Sequence, residues 1–166
     1  MSLSDRNANP TIIKTITPVI TFATGAYSAG DQLGAAPIAL AGVAKGGLCS
    51  IVSACYACKV AGATSLALNL LFFSTTVAHT SADNEAFNPS DADVLAYFTG
   101  SMSLGAPQVL ANNIVQTGTT TERVLRSDDP VTGTIYVMPI VTAAWTPGSA
   151  DDIKITMAFR QLSAVI

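Results

Sequence analysis

The sequence predicts an all-β chain, folded as an antiparallel β-sandwich of jelly-roll-like form, with one short helix near residues 90–97. Three observations predict it. Apolar and polar residues alternate at period two, most plainly in DIKITMAFRQL, where Ile153, Ile155, Met157 and Phe159 fall on one side and Lys154, Thr156, Ala158 and Arg160 on the other. The apolar runs are short and are separated by turns rich in Gly, Pro, Asn and Asp. A helix-start signal stands out in NPSDADVLAYFTG alone.

Taken in order, residues 1–13 read as a polar, flexible arm with NANP as a turn, and residues 14–166 as a single domain. KTITPVITFA carries the first strand character, and Pro18 assigns it to an edge, because proline cannot donate to a sheet ladder. TGAYSAGDQLG is loop, and APIALAGVAKGG is a short strand that turns at Gly46 and Gly47. Two strong strands follow, residues 48–60 and 65–74, with AGAT between them as a tight hairpin. In the second, Leu66, Leu68, Leu70 and Phe72 share the face that belongs in the core, while Ala67, Asn69, Leu71 and Phe73 share the other.

STTVAHTSADNEAF is loop. The helix then starts with Asn88 or Ser90 as N-cap, holds Asp91 and Asp93 in a first turn where the helix dipole favours acids, and stops at Gly100. FTGSMSL, QVLANNIVQT and ERVLR are weaker strands. GTIYVMPIVTAAW and DIKITMAFRQL are stronger, joined by TPGSADD as a hairpin connection.

Composition narrows the function classes. The 166 residues are 49% hydrophobic and only 11% charged, and mean hydropathy is +0.45, whereas an ordinary soluble domain is about 25% charged. Thr, Ser, Ala and Gly must therefore cover much of the surface, which suits extensive contact with other protein. The longest apolar stretches, such as LALNLLFF, fall short of the ~20 residues a membrane-spanning helix needs, so no membrane partner is expected. MSLSDRNANPTIIKT has no apolar segment behind its charges, so synthesis in a cytoplasm without a cleaved signal is expected. With a net charge of −3 and eight Lys and Arg in no run or stripe, nucleic acid is not an expected partner.

Candidate chemistry is sparse. CSIVSACYAC holds all three cysteines, and its Cys-x-x-Cys spacing is shared by zinc knuckles and redox sites. As a strand it puts Cys49, Ile51, Ser53 and Cys55 on one face and Val52, Ala54, Tyr56 and Cys58 on the other, which separates Cys55 from Cys58. Structural cysteines are the expectation, with no metal or cofactor. Asp83, Glu85, Asp91 and Asp93 depart from the EF-hand pattern at the third ligand and the glycine, and helix capping accounts for them more economically. His79 is the one imidazole and reads as a solvent-facing loop residue, with Ser74, Ser81 and Asp83 near it in sequence. Trp145, Tyr136 and Tyr97 could stack on a sugar, but their strand and helix positions suit packing. No catalytic residues are assigned.

Three stretches carry a resemblance: TPVITFATGAYSAGDQLG, LALNLLFFSTTVAHTSADNEAFNPSDADVLAYFTGSMSL and GTIYVMPIVTAAWTPGSADDIKITMAFRQL. Together they resemble the small β-rich capsid decoration, or cement, proteins of tailed bacteriophages. The likeness rests on the AYSAGD turn and its following glycine, the LxLxLFF strand, DNEAFNPSDAD leading into YFTG, and the final ADDIKITMAFRQL. The cysteine strand and IALAGVAKGG are not features of that group. The resemblance implies a non-enzymatic virion protein, made in the host cytoplasm, that sits on the capsid exterior and stabilises it by bridging capsid subunits. The implied partners are the major capsid protein and further copies of the chain, a dimer ahead of a trimer. Ser2, Leu3, Asp5, Arg6, Asn7, Asn9, Pro10 and Thr11 of the arm are candidate capsid contacts, since so polar a segment cannot pack alone. The alternative is a carbohydrate-binding β-sandwich module for surface attachment.

Overall fold

The computed structural model describes residues 13–58, 66–104, 108–109, 114–149 and 153–162. Among them lie β1 (Ile13–Ile16), β2 (Ile38–Leu40), β3 (Leu48–Cys58), β4 (Leu68–Phe73), α1 (Asp91–Tyr97), β5 (Phe98–Ser103), β6 (Gln108–Val109), β7 (Ile114–Arg126), β8 (Ile135–Val141) and β9 (Ile153–Leu162). They build a five-stranded sheet in the order β1-β9-β3-β7-β6 and a four-stranded sheet in the order β2-β8-β4-β5. The candidate arm contacts lie outside the described residues. Ile13, expected in the arm, already pairs with Arg160 in β1.

The antiparallel pairs are nested. β1 pairs with β9, β2 with β8, β3 with β7 and β4 with β5, as if one long ribbon had been folded over and wrapped round. β3 with β9 and β4 with β8 then complete the two sheets. This is the jelly roll that the sequence predicts. It corrects both expected hairpins, because β3 and β8 each lie in a different sheet from the strand that follows. Their connections are corners between sheets. A short polar link serves a corner as well as a hairpin, and both edges of β3 and of β4 are already occupied.

The inner faces form the core. Leu66, Leu68, Leu70 and Phe72 are fully buried as expected, facing Ile155, Met157 and Phe159 of β9. Phe72 meets Phe159 edge to face, with ring centroids 6.4 Å apart. The strand β3 departs from the predicted alternation. Its register shifts between Ile51 and Ser53, so Cys49 and Ile51 are buried before the bulge and Ala54, Tyr56 and Cys58 after it. A β-bulge adds one residue to a strand and exchanges its faces beyond that point. Cys49 therefore shares the core with Cys58 rather than the outer face with Cys55.

The four-stranded sheet is covered twice. Its outer face carries Phe73, Met138 and Ile140, which pack with Val77, Phe87 and Tyr97 in a second apolar cluster. Those covering residues come from residues 74–97, the excursion between β4 and β5. Within it the predicted helix forms as α1, with Ser90 as N-cap accepting from the Asp93 N–H and Asp91 and Asp93 in the first turn. The helix passes directly into β5 at Phe98, so the expected stop, Gly100, is a strand residue. Pro139 is tolerated inside β8 because its strand position faces Leu33, whose N–H donates to the Pro139 carbonyl at 2.9 Å, beyond the end of β2.

Candidate functional site

Polar side chains converge at the loops joining residues 23–34 to residues 79–88. Asp83 is the hub. Its carboxylate accepts from the Ala23 N–H, from the Tyr27 hydroxyl at 2.8 Å and from the Gly34 N–H at 2.8 Å. Burial, then the neighbouring Asp83, raises the Tyr27 phenol pKa, so Tyr27 stays a neutral donor. Gln32 is buried beside them, donating from Nε2 to the carbonyls of Gly34 and Ser81 and accepting at Oε1 from Ser81 Oγ at 2.8 Å. A groove of about 500 Å³ runs past this hub, lined by Val19, Phe22, Ile38 and Asp83 among others. Since both Asp83 oxygens serve the fold, the hub is a clamp on the AYSAGD turn.

His79 lies at the margin of the same network. It is half-buried rather than solvent-facing, and its ring packs edge to face on Phe87 with centroids 5.3 Å apart. Its Nδ1 approaches the Ser81 carbonyl at 3.1 Å and Ser81 Oγ at 3.3 Å. The Ser81 hydroxyl proton is already directed at Gln32, and its oxygen accepts from the Asn88 N–H. A nucleophile needs its proton aimed at the base, so His79 and Ser81 are arranged to brace the loop. The four expected carboxylates also scatter: Glu85 accepts from the Ala82 N–H, Asp93 from the Ala78 N–H, and Asp91 stands at the helix start. Capping thus covers part of this set, with Asp83 and Glu85 holding loops instead. No metal-binding cluster of three His, Cys, Asp or Glu forms among the described residues.

The aromatic platform does not assemble. Trp145 is only 4% exposed, packed against Phe22 and Tyr27, and Tyr136 and Tyr97 pack on the second apolar cluster. A sugar has no Trp145 face to stack on.

The cysteines divide by face, as the bulge dictates. Cys49 and Cys58 are buried, whereas Cys55 is half-buried on the outer side of the sheet opposite Thr156. Iodoacetamide without reductant is expected to label Cys55 in the folded protein and the other two only on unfolding. Native labelling of Cys49 as fast as Cys55 contradicts the strand geometry. Burial pushes the Cys49 thiol up to about 12, against 9.0 when exposed, and raises Tyr27 and Tyr56 above 10.0. These groups ionise sooner in the unfolded chain, so their contribution to stability is intact below pH 9.0 and declines as pH climbs toward 12. Urea midpoints measured across that range should fall; a flat profile contradicts the burial.

What remains is the outer face of the five-stranded sheet. Rows of directly opposed residues define it: Ile13, Arg160, Ser50 and Val124; then Thr15, Ala158 and Ser53; then Thr156 and Cys55, with Thr17 Oγ1 3.0 Å from Thr156 Oγ1; then Lys154, Ala57 and Val115. Most of these residues are small. The excursion that covers the other sheet has no counterpart here among the described residues. Sequence periodicity identified the outward residues of β9 but missed this asymmetry between the sheets. Its signal was present in LNLLFF, interrupted only by Asn69, and in IYVMPIV, nearly continuous apolar runs that mark strands buried on both faces.

No family model matches the chain, and no curated protein matches it. Among the described residues, no helix is long and apolar enough to cross a membrane.

Proposed function

We propose that this protein is a structural virion protein without enzymatic activity, which binds the outer surface of a phage capsid and stabilises it by bridging capsid subunits. The observation that carries this reading is the outer face of the five-stranded sheet, which no excursion covers among the described residues, on a jelly roll whose other sheet is covered on both sides. A jelly roll by itself hosts many functions, so the fold alone decides nothing. The resemblance of the AYSAGD, LALNLLFF and ADDIKITMAFRQL stretches to cement proteins supplies the partner. The bracing roles of His79, Ser81 and Asp83 favour a structural role over a hydrolytic one.

Mechanistically, each copy joins neighbouring subunits of a closed shell, and a modest contact repeated by symmetry lowers the free energy of the whole particle. Further copies of the chain complete the assembly, as a dimer ahead of a trimer.

Particles purified from a phage lacking this protein provide the test. Adding the protein back is expected to restore it at a fixed ratio to the major capsid protein and to raise the temperature at which particles release their genome. Particles that neither take it up nor gain heat resistance contradict the proposal.

A further inference from the structure

We infer that the open edge formed by β1 and residues 17–22 receives an extended strand, and that the occupant is the N-terminal arm of a second copy of this chain, residues 1–12, exchanged for its own. The inference goes beyond the capsid reading and is tested without capsids.

The receiving segment is a strand that has left its ladder. Beyond Ile16 the chain runs to Ala23 without turn or bend and keeps the period of two. Ile16, Pro18, Ile20 and Phe22 are buried or half-buried, while Thr17, Val19, Thr21 and Ala23 are exposed. β1 pairs with β9 as far as Ile16 opposite Met157, and the Thr17 and Thr156 hydroxyls still meet at 3.0 Å. Pro18 then brings no N–H to the ladder. Among the described residues, none makes a hydrogen bond to the backbone of Val19, Ile20, Thr21 or Phe22. Their N–H and C=O groups are an unused template for strand addition.

Grooves flank this strand on both sides. One of about 540 Å³ separates it from Ile153 and Lys154 at the start of β9. The other, the groove of about 500 Å³ that passes Asp83, separates it from residues 34–36 and Ile38. This second groove lies away from β9, on the side where β1 is itself the edge of its sheet, so the open edge runs from Ile13 to Phe22. β2, which starts at Ile38 in the far wall, is likewise the edge of its sheet. Val19 is 91% exposed and Ile13 55%, so the same edge presents two apolar side chains to an incoming strand.

Chain length selects the occupant. Twelve residues precede Ile13, and the edge from Ile13 to Phe22 accommodates a strand of ten. At ~3.3 Å per residue the arm reaches about 40 Å. A chain's own arm cannot fill its own groove: turned back at NANP, residues 7–10, it sets residues 1–6 beside residues 11–16 and ends short of Val19. A second copy has no such limit. With two copies side by side about a two-fold axis near Ile13, each arm continues its own β1 and runs antiparallel along the partner's edge, so every copy gives one strand and receives one. A folded edge strand with a sheet behind it would meet the wall at residues 34–36, whereas a lone arm enters. Strand addition also suits a polar arm, because its affinity comes from main-chain hydrogen bonds. Residues 2–11, expected to meet the capsid, are thereby assigned to a neighbouring copy.

The test uses the purified full-length protein. A photoreactive benzophenone side chain replaces Val19, whose exposure leaves the fold undisturbed, and isotopically heavy and light copies are mixed and equilibrated before illumination. The expected result is a dimer in sedimentation at tens of micromolar, with heavy-to-light cross-links from residue 19 to peptides within residues 1–12. The same probe in place of Val131, 82% exposed on the loop before β8, is expected to leave the arm unlabelled. Deleting residues 2–11 is expected to abolish the dimer while thermal melts show a folded chain; should that variant fail to fold, the cross-links decide. A strictly monomeric wild type, a folded arm-deleted protein that still dimerises, cross-links from residue 19 that stay within one copy or miss the arm, or equal labelling of the arm from residue 131 would each overturn the inference.

Discussion

Gly133→Ala is expected to destabilise the protein by more than about 4 kcal/mol, a large share of the stability of a chain this size. Gly133 has φ +60, where an alanine already costs about 1–2 kcal/mol, and its added Cβ would stand 2.3 Å from the Lys45 nitrogen and 2.5 Å from the Ala44 carbonyl carbon. Both obstacles are backbone, so no side-chain rotation relieves them. This close approach joins the turn after β2 to the turn before β8, with the Ala44 N–H donating to the Gly133 carbonyl at 2.9 Å. Gly30→Ala is the control. Gly30 also has positive φ, +99, but nothing lies within 4 Å of its would-be Cβ, so only the backbone cost applies. Urea unfolding of the two variants should separate them clearly; equal losses would mean that the approach at Gly133 is not tight.

The second large effect is in the core. Phe72→Ala removes a fully buried ring at the middle of the sandwich, between Phe159 on the facing sheet and its own neighbours on β8 and β5. Loss of such a ring costs about 3–5 kcal/mol, since the transfer energy and the cavity both count. In a chain of this size the melting temperature should drop by about 10 °C or more. Leu71→Ala, one position along, is the informative comparison, because Leu71 is half-buried under the excursion and belongs to the second cluster. It should cost clearly less, and a Leu71 variant as damaging as the Phe72 variant would show that the excursion is as essential as the core.

These two positions also show what is legible in the sequence. The inner faces of β4 and β9 follow from period two alone, because Leu66, Leu68, Leu70, Phe72 and Ile153, Ile155, Met157, Phe159 alternate without interruption. The helix at residue 91 follows from Ser90 and the two aspartates. β3 was harder. Its residues around the bulge, Ile51, Val52, Ser53 and Ala54, offer little contrast in polarity, so nothing in the pattern marks where the faces exchange. Pairing was harder still. Most of the nested pairs join residues far apart in sequence, and a short link between two strands looks the same whether the chain doubles back or crosses to the other sheet. The clamp at Asp83 was read as helix capping because its partners, Ala23, Tyr27 and Gly34, are about fifty or sixty residues away in the chain. The open sheet face depends on the same long-range fact, since it is recognised only once residues 74–97 are seen to cover the other sheet.

Cryo-electron microscopy of purified virions tests the central claim most directly. The account predicts copies of this jelly roll seated on the capsid exterior at symmetry-related sites. Virions without the protein, or with it confined to the tail, would contradict the assignment to the capsid.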